Sequence, residues 1–248
     1  MDSDKKILIW DLPIRFFHWF LVVGFFSAAI IALGFGDDYQ NFAYHAIIGL
    51  ILFFMVILRI LYGFFGTTYA RFKSFLFHPK ELFGYFKSAL LKNDIPYLGH
   101  NPGSAYAIFF MLALIIGISI TGIQLGLGNE TLKELHEIFV YAMLGIVSLH
   151  IIGVTFHIFR HRENIIASMI HGKKISNSEA GISSSRIVIL IIFLSLLSLF
   201  TFDLLSSYRA INKTIRVPII NVQLQIGESE TEQEKFNKNS YEYEKDDD

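Results

Sequence analysis

Residues 131–160 constrain this chain most, because they are long and apolar enough to cross a lipid bilayer as one helix. A spanning helix needs about 20 residues at about 1.5 Å rise each. His136 and His150 lie inside this stretch, fourteen residues apart. At about 3.6 residues per turn this spacing is close to four turns, so both imidazoles lie on one face, about 21 Å apart. The pattern predicts two metal centres stacked across the membrane.

The composition also indicates a membrane protein. Of the 248 residues, 53% are hydrophobic, and the mean hydropathy is +0.47. Cysteine is absent, which excludes disulfides, iron–sulfur clusters, thiolate haem ligation and covalent haem attachment. A redox centre would therefore need histidine, methionine or carboxylate ligands. The formal net charge of -1 gives no indication of a nucleic-acid partner.

Five apolar stretches predict five membrane-spanning helices, the first of which is retained rather than cleaved as a signal peptide. They cover about 13–33, 42–65, 103–126, 131–160 and 187–205. Between the second and third, apolar residues at helical spacing over 81–91 predict a helix on the membrane surface. The polar lead 1–6 is predicted to be mobile. Near the other terminus, 219–226 indicates one short strand, and the acidic end from Glu228 is predicted to be disordered.

The distribution of charge predicts the orientation. Basic residues cluster on one side of the predicted spans: Lys5, Lys6, Arg71, Lys73, Lys80, Lys87, Lys92, Arg160, Arg162, Lys173, Lys174 and Arg186. The links on the other side hold Asp37, Asp38 and Glu130. The positive-inside rule then places the N terminus in the cytoplasm, and five spans place the C-terminal tail outside. Three basic residues just beyond the fifth span argue mildly against the second placement: Arg209, Lys213 and Arg216.

Depth in the membrane sorts four histidines into two pairs. His18 lies near the start of the first helix, and His45 lies near the start of the second, which runs in the opposite direction. The fourth helix places His136 at the outer side and His150 nearer the inner side. Depth therefore pairs His45 with His136, and His18 with His150. Each pair could hold one planar macrocycle between two helices of a four-helix bundle.

Haem fits such pairs best, because two imidazoles complete its axial coordination and leave no open position. Zinc would need four ligands. Gly49, Gly145 and Gly153 could let a porphyrin approach the backbone, or could serve helix–helix packing. His157 competes with His150, since it lies seven residues further along on nearly the same face, and spacing alone leaves the choice open. The other histidines are expected to be solvated or interfacial: His78, His100, His161 and His171.

Six motifs occur in order along residues 9–174. They are WDLPIRFFHW, YHAIIG, RILYGFFGTTYARF, GHNPGS, LHEIFVYAMLGIVSLH and HRENIIASMIHGKK. As a set they resemble the bacterial cytochrome b561 family, most nearly the b-type cytochrome subunit of membrane-bound nickel–iron hydrogenases. The resemblance implies an all-α integral membrane fold, in which a four-helix transmembrane bundle encloses two b haems. The fifth C-terminal transmembrane helix, which is predicted from its apolar run alone, and the tail lie outside the resemblance. The resemblance implies the axial pairs His45/His136 and His18/His150, and favours His150 over His157.

The resemblance also implies an electron-transfer subunit of an oxidoreductase complex in the bacterial inner membrane. Members of the family carry electrons between the quinone pool and a redox partner, such as a periplasmic hydrogenase, a reductase or a multihaem cytochrome c. We expect three parts: the dihaem bundle over 7–175, a linker and the fifth helix over 176–207, and a periplasmic acidic tail over 208–248 that could dock the partner.

Several polar residues on the inner side are candidates for further roles. Arg15, Arg59 and Arg71 could pair with haem propionates through charge-assisted hydrogen bonds, although membrane anchoring explains them equally well. Candidates for a quinone site are His100, Asn101, Glu163, Asn164 and Arg71, for each of which a polar loop or cap is the simpler interpretation.

Two alternative functions stay open. One is a self-contained quinone-linked oxidoreductase. The other is a histidine-using transporter of metal ions or protons, which predicts carboxylates deep in the membrane. The first four predicted spans hold Asp and Glu only at their ends, which weighs against the transporter.

Overall fold

Helices dominate the computed structural model, which describes residues 5–34, 39–91, 97–176 and 180–227. In chain order the elements are β1 (Lys5–Leu8), α1 (Leu12–Gly34), α2 (Tyr39–Phe65), α3 (Pro79–Leu90), α4 (Pro102–Gly126), α5 (Lys133–His161), α6 (Ile165–His171), β2 (Lys173–Ser176), α7 (Ile187–Ser206), β3 (Thr214–Val217) and β4 (Val222–Gln225). Short 3-10 helices lie at Phe72–Phe75 and Glu130–Leu132.

Five of these helices are long and apolar enough to cross a membrane: α1, α2, α4, α5 and α7. They confirm the five predicted spans, with ends shifted by a few residues. The helix predicted over 81–91 is also present, as α3. The chain is therefore a multi-pass helical membrane protein.

Polar caps fix where two of the spans begin. The Asp11 carboxylate accepts a 3.0 Å hydrogen bond from the Ile14 amide at the start of α1, and Pro13 lies in the first turn. The Asn101 side chain accepts a 2.8 Å bond from the Ser104 amide at the start of α4. Such caps provide acceptors for amides that have no partner within the helix. Proline has no amide hydrogen, so it needs no acceptor in the first turn.

The spanning helices pack in two antiparallel pairs, α1 along α2 and α4 along α5. The pairs meet where α2 contacts α4, and α7 lies against α1 and α2. Met55 and Val56 of α2 lie fully buried at the centre. Helix α5 differs, because Met143 is its one buried side chain. We call the end where α1, α4 and α7 begin the basic end, and the opposite end the hairpin end.

A two-stranded sheet closes the basic end. Strands β1 and β2 pair antiparallel, with Lys5 opposite Ser176. The Gly172 carbonyl then accepts hydrogen bonds from the Ile9 and Trp10 amides, at 2.8 and 3.0 Å. A Cβ on Gly172 would lie 2.6 Å from the Trp10 carbonyl oxygen, so only glycine fits there. The prediction of a mobile lead was wrong for Lys5 and Lys6, which lie in β1; residues 1–4 lie outside the described residues.

A β-hairpin, made of β3 and β4, lies against the membrane-spanning helices at the hairpin end. The predicted strand is present as β4, whereas its partner β3 was not predicted, and Ile219 lies in the turn between them. Ile215 and Leu224 are buried, and they join a cluster with residues of α2 and α7: Ala43, Ile47, Leu50, Phe200 and Leu204. The acidic end from Glu228 lies outside the described residues.

Candidate functional site

His45 and His136 face each other near the hairpin end. Their ring centroids are 6.4 Å apart, with the planes at 76°. His45 lies in the second turn of α2 and His136 in the first turn of α5, and both side chains are partly buried. The structure thus brings together the two side chains that membrane depth pairs.

Hydrogen bonds orient both of these rings. Nδ1 of His45 lies 2.9 Å from the Ala28 carbonyl oxygen. A carbonyl oxygen only accepts, so Nδ1 carries the hydrogen and Nε2 of the neutral ring keeps its lone pair. Nδ1 of His136 lies 2.9 Å from Oγ1 of Thr121 on α4. Metal-ligating histidines commonly hold the other ring nitrogen in this way.

The spacing of the two rings fits a shared metal atom. An imidazole–metal bond is about 2.0 Å long, so two rings on opposite sides of one metal atom have centroids roughly 6 Å apart. The described residues contain no group of three or more His, Asp or Glu side chains that could hold a metal ion. A site with two protein ligands suits a cofactor that supplies the remaining ligands itself, as a macrocycle does.

His18 and His150 form the second pair, nearer the basic end. Both are partly buried, and they lie close enough to interact electrostatically. His157, the competitor of His150, is engaged elsewhere: its Nε2 lies 3.3 Å from Oε2 of Glu163, and its ring packs against His161 at 4.4 Å. This arrangement supports the choice of His150.

Glu163 binds two cationic or polar partners at the basic end. The bond to His157 and the Nζ atom of Lys174, 3.4 Å from the other carboxylate oxygen, lower the pKa of Glu163 despite its partial burial. Lys174 also donates to the Tyr97 carbonyl oxygen. The contacts describe a polar cluster that ties the end of α5 to β2. The side chains of His157, Glu163 and Lys174 are therefore held in place by their contacts with one another.

The three candidate arginines differ in burial. Arg59 is 4% exposed, and its guanidinium lies over the Phe72 and Phe17 rings at 4.9 and 5.8 Å. Its Nη1 is buried and makes no hydrogen bond among the described residues. Arg15 donates to the Ile170 carbonyl oxygen, but its buried Nε makes no such bond there. Arg71 is exposed. The buried Asp11 carboxylate interacts electrostatically with Arg59, but Nη1 still has no described acceptor, so it fits a further carboxylate brought in by a cofactor.

One buried feature near Arg59 was not predicted from the sequence. The carboxylate of Asp11 is fully buried and accepts bonds from the hydroxyls of Tyr62 and Thr67, at 2.8 and 2.5 Å. Its position just before Pro13 was the available signal, since that is the pattern of a helix cap.

His100, which was expected to be solvated or interfacial, is only partly exposed in the structure. Its ring lies 4.7 Å from both Trp10 and Phe75. Burial lowers its pKa to about 3, and the positive charges of Arg59 and Lys174 act in the same direction. His100 is therefore neutral at physiological pH. It also interacts electrostatically with both histidines of the basic-end pair.

The glycines near the histidines border open space. A Cβ on Gly49 or Gly153 would meet no described atom within 4 Å, whereas one on Gly117 would lie 2.9 Å from Phe139. Gly49 is one turn from His45, and Gly153 is within one turn of His150. Helix–helix packing thus does not explain these two glycines among the described residues. Gly145 also faces open space, but the helical period turns it away from both ligands of α5.

Comparison with known proteins agrees with the motifs. The profile of the family described as prokaryotic cytochrome b561 matches residues 9–172, which include all four paired histidines. A probable Ni/Fe-hydrogenase B-type cytochrome subunit from Rhizobium leguminosarum bv. viciae is 24% identical over 215 residues, covering 69% of this chain and 90% of the relative. No solved structure matches the chain. The chain thus belongs to the prokaryotic cytochrome b561 family, and is a membrane-bound b-type cytochrome of electron transfer.

Proposed function

We propose that this chain is a dihaem cytochrome that carries electrons between the quinone pool and a redox partner across the bacterial inner membrane. The observation that carries the proposal is the pairing of His45 and His136. Their rings are spaced for one metal atom, and the Nδ1 bonds leave both Nε2 atoms free to ligate.

Four histidines hold the haems in this proposal. His45 and His136 ligate at the hairpin end, and His18 and His150 ligate at the basic end. When bound, haem iron supplies a one-electron redox centre, and two imidazole ligands leave no position open for oxygen. The buried Met143 lies midway between the two ligands of α5 and packs between the two levels. The open space beside Gly49 and Gly153 would leave room for a macrocycle.

Cationic side chains at the basic end neutralise the haem carboxylates. Arg59 is the strongest candidate, because its buried guanidinium makes no described hydrogen bond through Nη1. Arg15, with its buried Nε, is the second. Arg71 is exposed, so any bond that it makes to a carboxylate competes with water. We place His100 and Glu163 beside the quinone, since both lie at the end of the molecule where His18 and His150 are.

The charge distribution supports one orientation. With the basic end in the cytoplasm, the lysines and arginines there satisfy the positive-inside rule. The hairpin and the tail within 208–248 then lie in the periplasm, where a hydrogenase, a reductase or a multihaem cytochrome c could receive or deliver electrons. The dihaem unit in this proposal covers 7–175, and 176–207 adds the linker and fifth helix. The relative's name, a probable hydrogenase cytochrome subunit, favours hydrogenase among these partners.

A count of haems in the purified full chain tests the proposal. We expect two b haems per chain by pyridine haemochrome, one in His136→Ala, and one in His150→Ala. His157→Ala is the matched control on the same helix and should keep both. A chain that binds no haem in cells able to supply it would contradict the proposal. A loss in His157→Ala without one in His150→Ala would overturn the basic-end pair alone.

A further inference from the structure

Thr121 makes a contact that the sequence did not reveal. It lies in α4, is 4% exposed, and places Oγ1 at 2.9 Å from Nδ1 of His136 on the neighbouring helix. The same oxygen lies 2.9 Å from the Gly117 carbonyl oxygen and 3.0 Å from that of Ile118, in its own helix. The hydroxyl is therefore held in one place by α4 while it meets the imidazole of α5.

The direction of these hydrogen bonds follows from the atoms involved. A hydroxyl has one hydrogen to donate and two lone pairs to accept with. Carbonyl oxygens only accept, so the Thr121 hydrogen points back at the carbonyls of α4. The hydroxyl oxygen then accepts from Nδ1–H of His136. This assigns the neutral tautomer of His136 with its lone pair on Nε2, the nitrogen that would ligate.

The adjacent Gly122 also lies beside the imidazole. A Cβ on Gly122 would lie 3.4 Å from Cε1 of His136, so the ring rests directly against the backbone of α4. The imidazole is thus fixed both in tautomer and in rotation. Among the described residues, neither His18 nor His150 makes a comparable hydrogen bond. The two proposed haem sites therefore differ in how their α5 ligand is held.

We propose that Thr121 is a positioning residue that lowers the reduction potential of the haem at the hairpin end. Accepting a hydrogen bond from Nδ1–H raises the basicity of a ligating imidazole. A more basic axial ligand stabilises ferric iron relative to ferrous iron, which lowers the potential. The inference rests on the proposed function, because it requires His136 to be an axial ligand.

The test uses three full-length variants, purified with haem and titrated by visible spectroelectrochemistry. Thr121→Val keeps the shape and removes the hydroxyl, and Thr121→Ser restores the hydroxyl. Ser148→Ala is the matched control: its hydroxyl donates to the Leu144 carbonyl oxygen in its own helix, at 2.8 Å, and it is exposed. We expect Thr121→Val to shift one of the two midpoint potentials upward. Thr121→Ser and Ser148→Ala should leave both potentials at the wild-type values.

Several results would overturn the inference. They are unchanged potentials in Thr121→Val, a downward shift, or an equal shift in Thr121→Ser. If Thr121→Val does not assemble with haem, Thr121→Ala must show the upward shift, and its absence counts against the inference. Failure of the proposed function is distinguishable, because the wild-type chain would then bind no haem, or His136→Ala would keep both haems. If His136→Ala loses one haem and Thr121→Val shifts nothing, only the role of Thr121 is wrong.

Discussion

The hydroxyl of Tyr62, near the end of α2, donates a 2.8 Å hydrogen bond to the buried carboxylate of Asp11, just before α1. Together with the bond from Thr67, this contact joins the two helices that carry His18 and His45. The carboxylate also caps α1, so one side chain fixes both the start of a helix and its position beside the next.

Loss of this carboxylate should destabilise the protein. Asp11→Ala removes a helix cap and leaves buried hydroxyls without their acceptor, which we expect to cost about 2–4 kcal/mol. Tyr62→Phe removes one hydrogen bond and should cost about 1 kcal/mol. Thermal unfolding in detergent measures both. Thr131→Ala, which removes an exposed bond to Asn129, is the control and should change little. Equal stability of Asp11→Ala and wild type would contradict the capping role.

Stability should fall with acid because of His100. Its pKa is about 3 in the folded protein and 6.5 in the unfolded chain. The contribution of the neutral ring to the free energy of unfolding is therefore fully present above pH 6.5. It is lost as the pH falls toward 3, at up to about 1.4 kcal/mol per pH unit. His100→Phe keeps a ring between Trp10 and Phe75 without a titrating group. Unfolding followed at pH 7 and pH 5 should show a smaller loss in this variant, and equal losses would refute the assignment.

Filling the open space beside Gly153 should block one haem. Gly153→Phe places a ring within one turn of His150, where we expect the macrocycle to lie, and one of the two haems should be lost. Gly145→Phe is the matched control on the same helix, because it also faces open space but on another side. Pyridine haemochrome counts haem in both. Full haem content in Gly153→Phe would show that the macrocycle lies elsewhere.

Removal of the buried charge of Arg59 should lower one haem potential. A cation near the iron favours the reduced form, so Arg59→Met should lower the reduction potential of the basic-end haem. We expect a shift on the order of 50 mV, which is slightly less than a tenfold change in the equilibrium constant of a one-electron reduction (about 59 mV). Arg71→Met is the control, because the Arg71 side chain is exposed and screened by water. An equal shift in the two variants would mean that the buried Arg59 acts on the haem potential no more strongly than the exposed Arg71.

Two truncations separate the hairpin from the acidic end. Ending the chain after Ser207 removes β3 and β4 and exposes Ala43, Ile47 and Leu50 of α2; each buried hairpin side chain contributes about 1.5–3 kcal/mol. We expect loss of the haem at His45. Ending it after Gly227 removes only the acidic end, and should keep both haems while weakening co-purification with the partner. Unchanged co-purification and electron transfer in both truncations would rule out docking by this segment.

The spanning helices were predictable because hydropathy over some twenty residues is a property of local sequence. The pairing of His45 with His136 was predictable for a related reason, since alternating helix direction fixes the depth of each residue. Thr121 was not predictable, because its contact depends on the rotation of α4 relative to α5. The ring contacts of His100 were not predictable, because the loop before α4 places it beside Trp10 and Phe75, and no local pattern encodes such contacts. Four-residue strands such as β1 and β3 are too short for a reliable alternation.

The pairing of β1 with β2 has a consequence for the order of assembly. Strand β1 is the first described element to be synthesised, but its partner follows α5 and α6. The sheet can therefore form only after all four paired histidines have left the ribosome. Until then the start of α1 lacks the Gly172 carbonyl that later accepts its two preceding amides. The sheet can thus be complete only when the whole haem-binding region has been synthesised, and its hydrogen bonds join the beginning of that region to its end.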